Sequence, residues 1–145
     1  MEQNILKIPY AAVNNDWKLL QQFLKIKGNP KYIIVGNIDF SYNGYVSDLG
    51  NLVGVEGYLR LSFSNIESLS ELQFVGKDLY LKFCKKIKSL GKLKRVEGYL
   101  NLENSSIESM GDLEFVGKEL WLKHTKIPKS ELDKVKIIGG IYNQN

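Results

Sequence analysis

Cys84 and His124 are the single thiol and the single imidazole of this 145-residue chain. A nucleophilic or redox cysteine needs a neighbour that stabilises its thiolate, and the residues around Cys84 include none. One histidine and one cysteine, without a Cys-x-x-Cys pair, give no metal set of the usual spacing. GDLEFVGKE (residues 111–119) has the outline of a phosphate loop. However, five residues separate its glycines, and Glu119 stands where Ser or Thr should follow Lys118. No Gly-x-Ser-x-Gly elbow occurs, and no carboxylate pair is set among apolar residues that would shift a pKa. The sequence therefore predicts a chain that is not an enzyme and carries no metal or cofactor.

The chemistry that remains is recognition by aromatic and basic side chains, and a repeat places them. Copies of an anchor V-x-G-x-L-x-L begin at Ile34, Val55, Val75, Val96, Val116 and Ile137, so the spacing alternates between 21 and 20 residues. Counting each anchor as zero, sites +4 and +6 are apolar (Ile38 and Phe40, Leu59 and Leu61, Leu79 and Leu81, Leu100 and Leu102, Leu120 and Leu122). That alternation predicts a short strand with one buried face. Apolar residues three apart follow it, as in Ile66, Leu69, Leu72 and in Ile87, Leu90, Leu93, a step that suits tight turns or short 3₁₀ pieces. A unit this short cannot bury its own apolar face, so the copies must stack as a solenoid.

Site +2 holds Gly36, Gly57, Gly98 and Gly139 but Lys77 and Lys118 in alternate copies. Site +9 holds Asn43, Ser64, Cys84, Ser105 and Thr125, all small and hydrogen-bonding. Such a row predicts a polar ladder inside a turn, with Cys84 as one of its rungs. The run L-x-L-x-x-[N/S/C/T]-x-I, as in LRLSFSNI (59–66) and LNLENSSI (100–107), resembles the leucine-rich repeat, and the preceding V-x-G is similar to the coils of receptor L domains and short bacterial repeats. The likeness spans residues 32–143. It implies a β-dominated α/β repeat protein, a curved solenoid with one parallel sheet on its concave face and thin turns on its convex side, and protein recognition as the common role.

The ends depart from the repeat. NDWKLLQQFLKIK (15–27) places Trp17, Leu20, Phe23, Leu24 and Lys27 at helical spacing, with Asn14 or Asn15 as N-cap and Gly28-Asn29-Pro30 as stop. The prediction is one domain: a helical cap over 1–31, a solenoid over 32–129, and a C-terminal cap over 130–145. In that last segment a helix starting near Ser130 and a final strand IIGGIY close the core. No segment reads as a signal peptide or a membrane span. A lone cysteine fits a reducing compartment, so a cytoplasmic protein of small bacterial or phage origin is expected.

Function should be written on the outward strand sites. These are Asn37, Tyr58, Asp78, Tyr99, Glu119 and Gly140 at +3, and Asp39, Arg60, Tyr80, Asn101, Trp121 and Tyr142 at +5. In strands about 4.8 Å apart Tyr58, Tyr80, Tyr99 and Trp121 form a zigzag. The +8 row adds Tyr42, Phe63 and Phe83, then Asn104 and His124. Large rings at outward sites are the signature of an interface, with Arg60 and Lys82 in its polar rim. The expected binding residues are therefore Tyr42, Tyr58, Arg60, Phe63, Tyr80, Lys82, Phe83, Tyr99, Trp121 and His124. The expected partner is a protein, and a homodimer through the same patch is an alternative. The net charge is +4 with a pI of about 9.0, and basic residues gather in the coil 82–95. A second reading follows from that coil: an inhibitor or accessory protein docking on a nucleic-acid-handling complex, with direct nucleic-acid binding ranked lower because nearby Glu97, Glu103 and Glu108 neutralise the field. A third reading is carbohydrate binding by the Tyr/Trp face, against which stands the lack of amide and carboxylate partners assigned to each ring.

Overall fold

The structure is a computed structural model that describes residues 5–143. The chain opens with strand β1 (Leu6–Pro9), a 3₁₀ turn over Tyr10–Val13, and helix α1 (Trp17–Ile26). Each coil then contributes two short strands: β2 (Tyr32–Val35) and β3 (Ile38–Asp39), β4 (Leu52–Val55) and β5 (Leu59–Arg60), β6 (Phe74–Val75) and β7 (Leu79–Tyr80). The next are β8 (Arg95–Val96) and β9 (Leu100–Asn101), β10 (Phe115–Val116) and β11 (Leu120–Trp121). After the short helix α2 (Lys129–Leu132) come β12 (Lys136–Ile137) and β13 (Ile141–Tyr142). All pairing between them is parallel, giving a β-solenoid with two sheets rather than the single sheet expected. Sheet A is ordered β1-β2-β4-β6-β8-β10-β12, and sheet B runs from β3 through β5, β7, β9 and β11 to β13.

The register follows the repeat alignment residue for residue. Val55 pairs with Val75, Val75 with Val96 and Val96 with Val116 in sheet A. Leu59, Leu79, Leu100 and Leu120 pair in succession in sheet B. The anchor itself is thus a strand position. Sheet A escapes the sequence pattern because only its inward residue repeats, whereas the outward row Ile33, Gly54, Phe74, Arg95, Phe115, Lys136 is mixed. Inside, Ile38, Leu59, Leu61, Leu79, Leu81, Leu100 and Leu102 are fully buried with the three-residue-step set Ile66, Leu72, Ile87, Leu90 and Leu93. The stretches carrying that step are turns, each closed once: Leu72 N–H donates to the Leu69 carbonyl at 3.1 Å and Leu93 N–H to that of Leu90 at 3.2 Å.

The corner between the two sheets explains the alternating lysines. Coils written V-E-G have glycine at +2, and coils written V-G-K have it at +1 (Gly76, Gly117). A methyl on Gly76 or Gly117 would fall on the carbonyl oxygen of Glu56 or Glu97, and one on Gly57 or Gly98 on the backbone or +3 side chain of the coil before. From the second coil onward the requirement is close approach between coils, not positive φ, and one glycine per corner satisfies it at either site; Gly36, in the first coil, instead has a φ of 131° and no such contact. The repeating unit is therefore a pair of coils, with 41 residues separating Val55 from Val96 and Val96 from Ile137. In alternate coils Asn37 and Asp78 reach forward from +3, and their Oδ1 atoms accept the N–H of Tyr58 (2.9 Å) and Tyr99 (2.8 Å).

Both ends differ from expectation in detail. The N-cap of α1 is Asp16, whose Oδ1 accepts the Leu19 N–H at 3.0 Å, because Asn14 and Asn15 adopt left-handed φ of 57° and 52° and stand outside the helix. Leu20 and Leu24 bury against the first coil, and Trp17 packs edge-on to Phe40 with ring centroids 5.1 Å apart. Strand β1 extends sheet A by one more rung. At the other end α2 and the last strands form and cover the coil before them, with Leu120 and Leu122 buried and Val135 in the core, but their own far side is open: Ile138, Ile141 and Tyr142 are 57%, 47% and 39% exposed, since no coil lies beyond them among the described residues.

Two consequences are measurable. Gly76→Ala should lose about 1–3 kcal/mol in urea unfolding through overpacking at the corner, while Lys77→Ala changes stability by less than about 0.5 kcal/mol; equal effects would remove the close-approach account. Burial pushes the Tyr10 phenol up to about 12, with Asp16 adding to it. The folded pKa lies above the unfolded value near 10, so this contribution is intact below pH 10 and is lost as pH rises from about 10 to 12. Tyr10→Phe should flatten the alkaline limb of a stability–pH curve in that window.

Candidate functional site

Each of the first four coils turns two left-handed corners after its sheet-B strand, and the fifth turns one before α2. At the second corner the residue with positive φ is Gly50, Ser70, Gly91 or Gly111, in keeping with the freedom of glycine there. The first corner falls on +8 and never holds glycine: Tyr42, Phe63, Phe83, Asn104 and His124 have φ of 62°, 60°, 59°, 56° and 58°. The +9 N–H closes this turn on the +6 carbonyl, as Ser64 does on Leu61 (3.1 Å) and Cys84 on Leu81 (3.1 Å). Asparagine suits such a site, whereas a bulky ring in left-handed φ costs about 1–3 kcal/mol. Three successive coils nevertheless place rings there, and the rings stack. Tyr42 and Phe63 lie 4.8 Å apart at 5°, and Phe63 and Phe83 lie 4.7 Å apart at 12°. The stack stays open to solvent, with Tyr42 75% exposed at its free end.

Beside this row, the outer face of sheet B brings the other expected residues together. The Arg60 guanidinium lies 4.3 Å from the Tyr58 ring centroid and 5.6 Å from that of Tyr80, which is cation–π distance, and 3.9 Å from Asp39. Tyr80 donates its hydroxyl to Asp78 Oδ2 at 3.1 Å, and burial followed by that carboxylate raises the phenol pKa. Trp121 stacks on Tyr142 at 4.6 Å. Tyr58, Tyr80, Tyr99 and Trp121 are half-buried, Tyr99 under the Lys118 ammonium at 5.2 Å from its centroid, so the sheet rings are partly a cover for the sheet itself. On the ring row, Lys82 Nζ lies 6.0 Å from the Phe83 centroid and Lys85 Nζ 5.4 Å.

Sequence reasoning missed a hollow of about 310 Å³ on this face, lined by Tyr80, Tyr99, Trp121, Asn101, Glu103 and Glu119. Asn101 is a small side chain between Tyr80 and Trp121 in adjacent coils, so it forms the floor and the two rings the walls. Its Oδ1 accepts the Glu103 N–H at 3.0 Å. The amide and carboxylates whose absence counted against carbohydrate binding are thus present around this set of rings. Aligning +3, +5 and +7 as a grid would have revealed it.

His124 does not join the aromatic face. Asn104 interrupts the row before it, and His124 borders a separate hollow of about 250 Å³ with Lys85, Lys88, Lys126 and Ser106. The basic coil is partly engaged: Lys92 pairs with Glu71 and Arg95 with Glu97 at 2.8 Å, and the Arg95 guanidinium lies 4.1 Å from the Phe115 centroid on sheet A. Cys84 is fully buried and donates to the Leu61 carbonyl at 3.0 Å, with Ser64 Oγ 3.9 Å away. Burial pushes its thiol pKa up, which keeps it an unreactive rung. Thr125 and Asn43 instead bond within their own turns. Among the described residues no group of three His, Cys, Asp or Glu side chains is placed to hold a metal ion, and no helix is long and apolar enough to cross a membrane.

Tyr42→Asn should leave unfolding free energy within about 0.5 kcal/mol of the parent or raise it, because relief of about 1 kcal/mol or more of backbone strain offsets one stacked pair worth about 0.5–1.5 kcal/mol. A loss above about 2 kcal/mol in urea unfolding would make the ring a structural staple instead.

No protein-family model matches the chain, and neither the curated proteins nor the solved structures give a match. The fold assignment accordingly rests on strand pairing, which makes the chain a parallel β-solenoid with two sheets.

Proposed function

We propose that this solenoid is a non-catalytic binding module that receives a protein partner on the outer face of sheet B and the adjoining left-handed ring row, and that its coils are of the short leucine-rich-repeat type. The family reading is supported by L-x-L-x-x-[N/S/C/T]-x-I, by its buried +4 and +6 sites, and by +9 sites that are buried at Ser64, Cys84 and Ser105. The observation that carries the functional reading is the placement of Tyr42, Phe63 and Phe83 at positive φ where Asn104 satisfies the same turn without strain. Backbone strain held at exposed rings is a mark of a working surface. Stacked rings have little side-chain entropy to lose and offer large contact area. A second reading, carbohydrate binding, is favoured by one feature: the Asn101 hollow sets two facing rings beside an amide and two carboxylates.

The test replaces Tyr42, Phe63 and Phe83 together by Asn, which the turn accepts. Quantitative affinity capture from source cells should show partners of the parent depleted at least ten-fold with the triple variant, while Asn101→Ala leaves them in place. Unchanged partners with the triple variant would refute the ring-row reading. Loss of glycan-array signal on Asn101→Ala alone would favour the carbohydrate reading.

A further inference from the structure

The two sheets do not end together at the N-terminal side. Sheet A continues past β2 to β1, whereas β3 is the edge of sheet B and pairs only with β5. The place of a further sheet-B strand is occupied by a cleft of about 1220 Å³ between the first coil and the segment Tyr10–Lys18, with Asn37, Asp39, Asp16, Trp17, Tyr45 and Tyr58 in its lining. Trp17 plugs the core beneath it through Phe40 and Tyr32, at 5.1 and 6.5 Å between ring centroids. The core is therefore closed at this end while the sheet edge is open.

The hydrogen-bond pattern defines what the edge lacks. In each of the first four coils the N–H groups of +4, +6 and +8 donate forward to the +3, +5 and +7 carbonyls of the next: Ile38 to Tyr58 (3.0 Å), Phe40 to Arg60 (2.7 Å), Tyr42 to Ser62 (2.9 Å). The same pattern assigns the carbonyls of Asn37, Asp39 and Ser41 to a preceding strand. No N–H of the described residues donates to them. Three acceptors two residues apart, at about 3.3 Å per residue, match alternate N–H groups of an extended chain.

We infer that this step is a β-augmentation site that takes one extended segment of a partner protein as an added, parallel strand of sheet B. The step selects such a segment over a second copy of the chain. The far end of the solenoid presents β12 and β13 in a single coil, so bringing β13 against β3 would drive β12 into the position that β1 already fills. A lone strand meets no such obstruction. Charge favours a basic outward side chain next to Asp39, as Arg60 already is on its other side, and apolar residues on the inward side over Trp17 and Phe40. The edge adjoins the face proposed above, since Tyr58 lines both, but what it offers a partner is backbone carbonyls rather than the side chains of the ring row.

The probe is the capped synthetic peptide VEGYLRLSFS, the sequence of residues 55–64, which makes this ladder in its own coil and carries an arginine in register with Asp39. Titrated into ¹⁵N-labelled protein, it should give saturable shifts at residues 37–41 and in the Tyr10–Lys18 segment. Asp39→Pro blocks the N–H on the open side and leaves the side facing β5, as prolines at sheet edges do, and should weaken binding at least ten-fold with the melting temperature retained. A peptide N-methylated at the two leucines matching Leu59 and Leu61 should lose binding to the same degree on unaltered protein, which keeps the test valid if the proline variant fails to fold. Absence of saturable binding, shifts confined to Ile141–Tyr142, or indifference to both backbone blocks would overturn the proposal. So would self-association of the protein that Asp39→Pro abolishes, since the occupant would then be a second copy.

Discussion

Backbone hydrogen bonding from each coil to the next is the interaction on which everything else in this molecule depends. It holds the coils at strand spacing, about 4.8 Å, on both sheets and at the corner between them. A spacing that small dictates which residues can stand at the corner: from the second coil onward one residue per coil must lack a Cβ, and whether it is Gly76 or Gly98 decides only whether the motif reads V-G-K or V-E-G. It also sets the period as a pair of coils, because Asn37 and Asp78 each cap an N–H that the following coil leaves short of a partner.

The same spacing turns any row of identical rings into a stack. At +8 the backbone is left-handed in five consecutive coils, so the side chains there leave the turn in one direction and Tyr42, Phe63 and Phe83 meet at 4.7–4.8 Å. Stacking recovers part of the strain, but asparagine at Asn104 shows that the fold needs no ring. On sheet B the alternation of large and small outward residues does the opposite. Where Asn101 falls between Tyr80 and Trp121, the face opens into a hollow.

Much of this was legible in the sequence. The alignment on V-x-G-x-L-x-L named the inward residues correctly and fixed the pairing of Leu59 with Leu79 and of Val75 with Val96. It named the outward aromatic residues that stack or flank Arg60. What it lacked has physical causes. Two-residue strands such as β6 are too short to show a period, so sheet A was invisible beside the stronger +4/+6 signal, and β1 (LKIP) was hidden by its proline. Left-handed φ at Phe63 or Phe83 runs against residue preference and is not readable from side-chain type. Position in the repeat places His124 with the rings, although one intervening Asn104 separates it from them. Pattern alone predicts a C-terminal coil that closes the core, yet burial of Ile141 requires a neighbour on its far side.

The solenoid that results is one continuous backbone ladder with open edges at β3 and β13. Its most direct test is amide hydrogen exchange resolved residue by residue by NMR. The ladder predicts that the N–H groups of Leu59, Leu79, Leu100 and Leu120 exchange only through unfolding of most of the coils and share similarly high protection, while Asp39 and Ile141, on the open sides, exchange orders of magnitude faster. Protection of Asp39 and Ile141 equal to that of Leu79, or uneven protection among the four leucines, would contradict it.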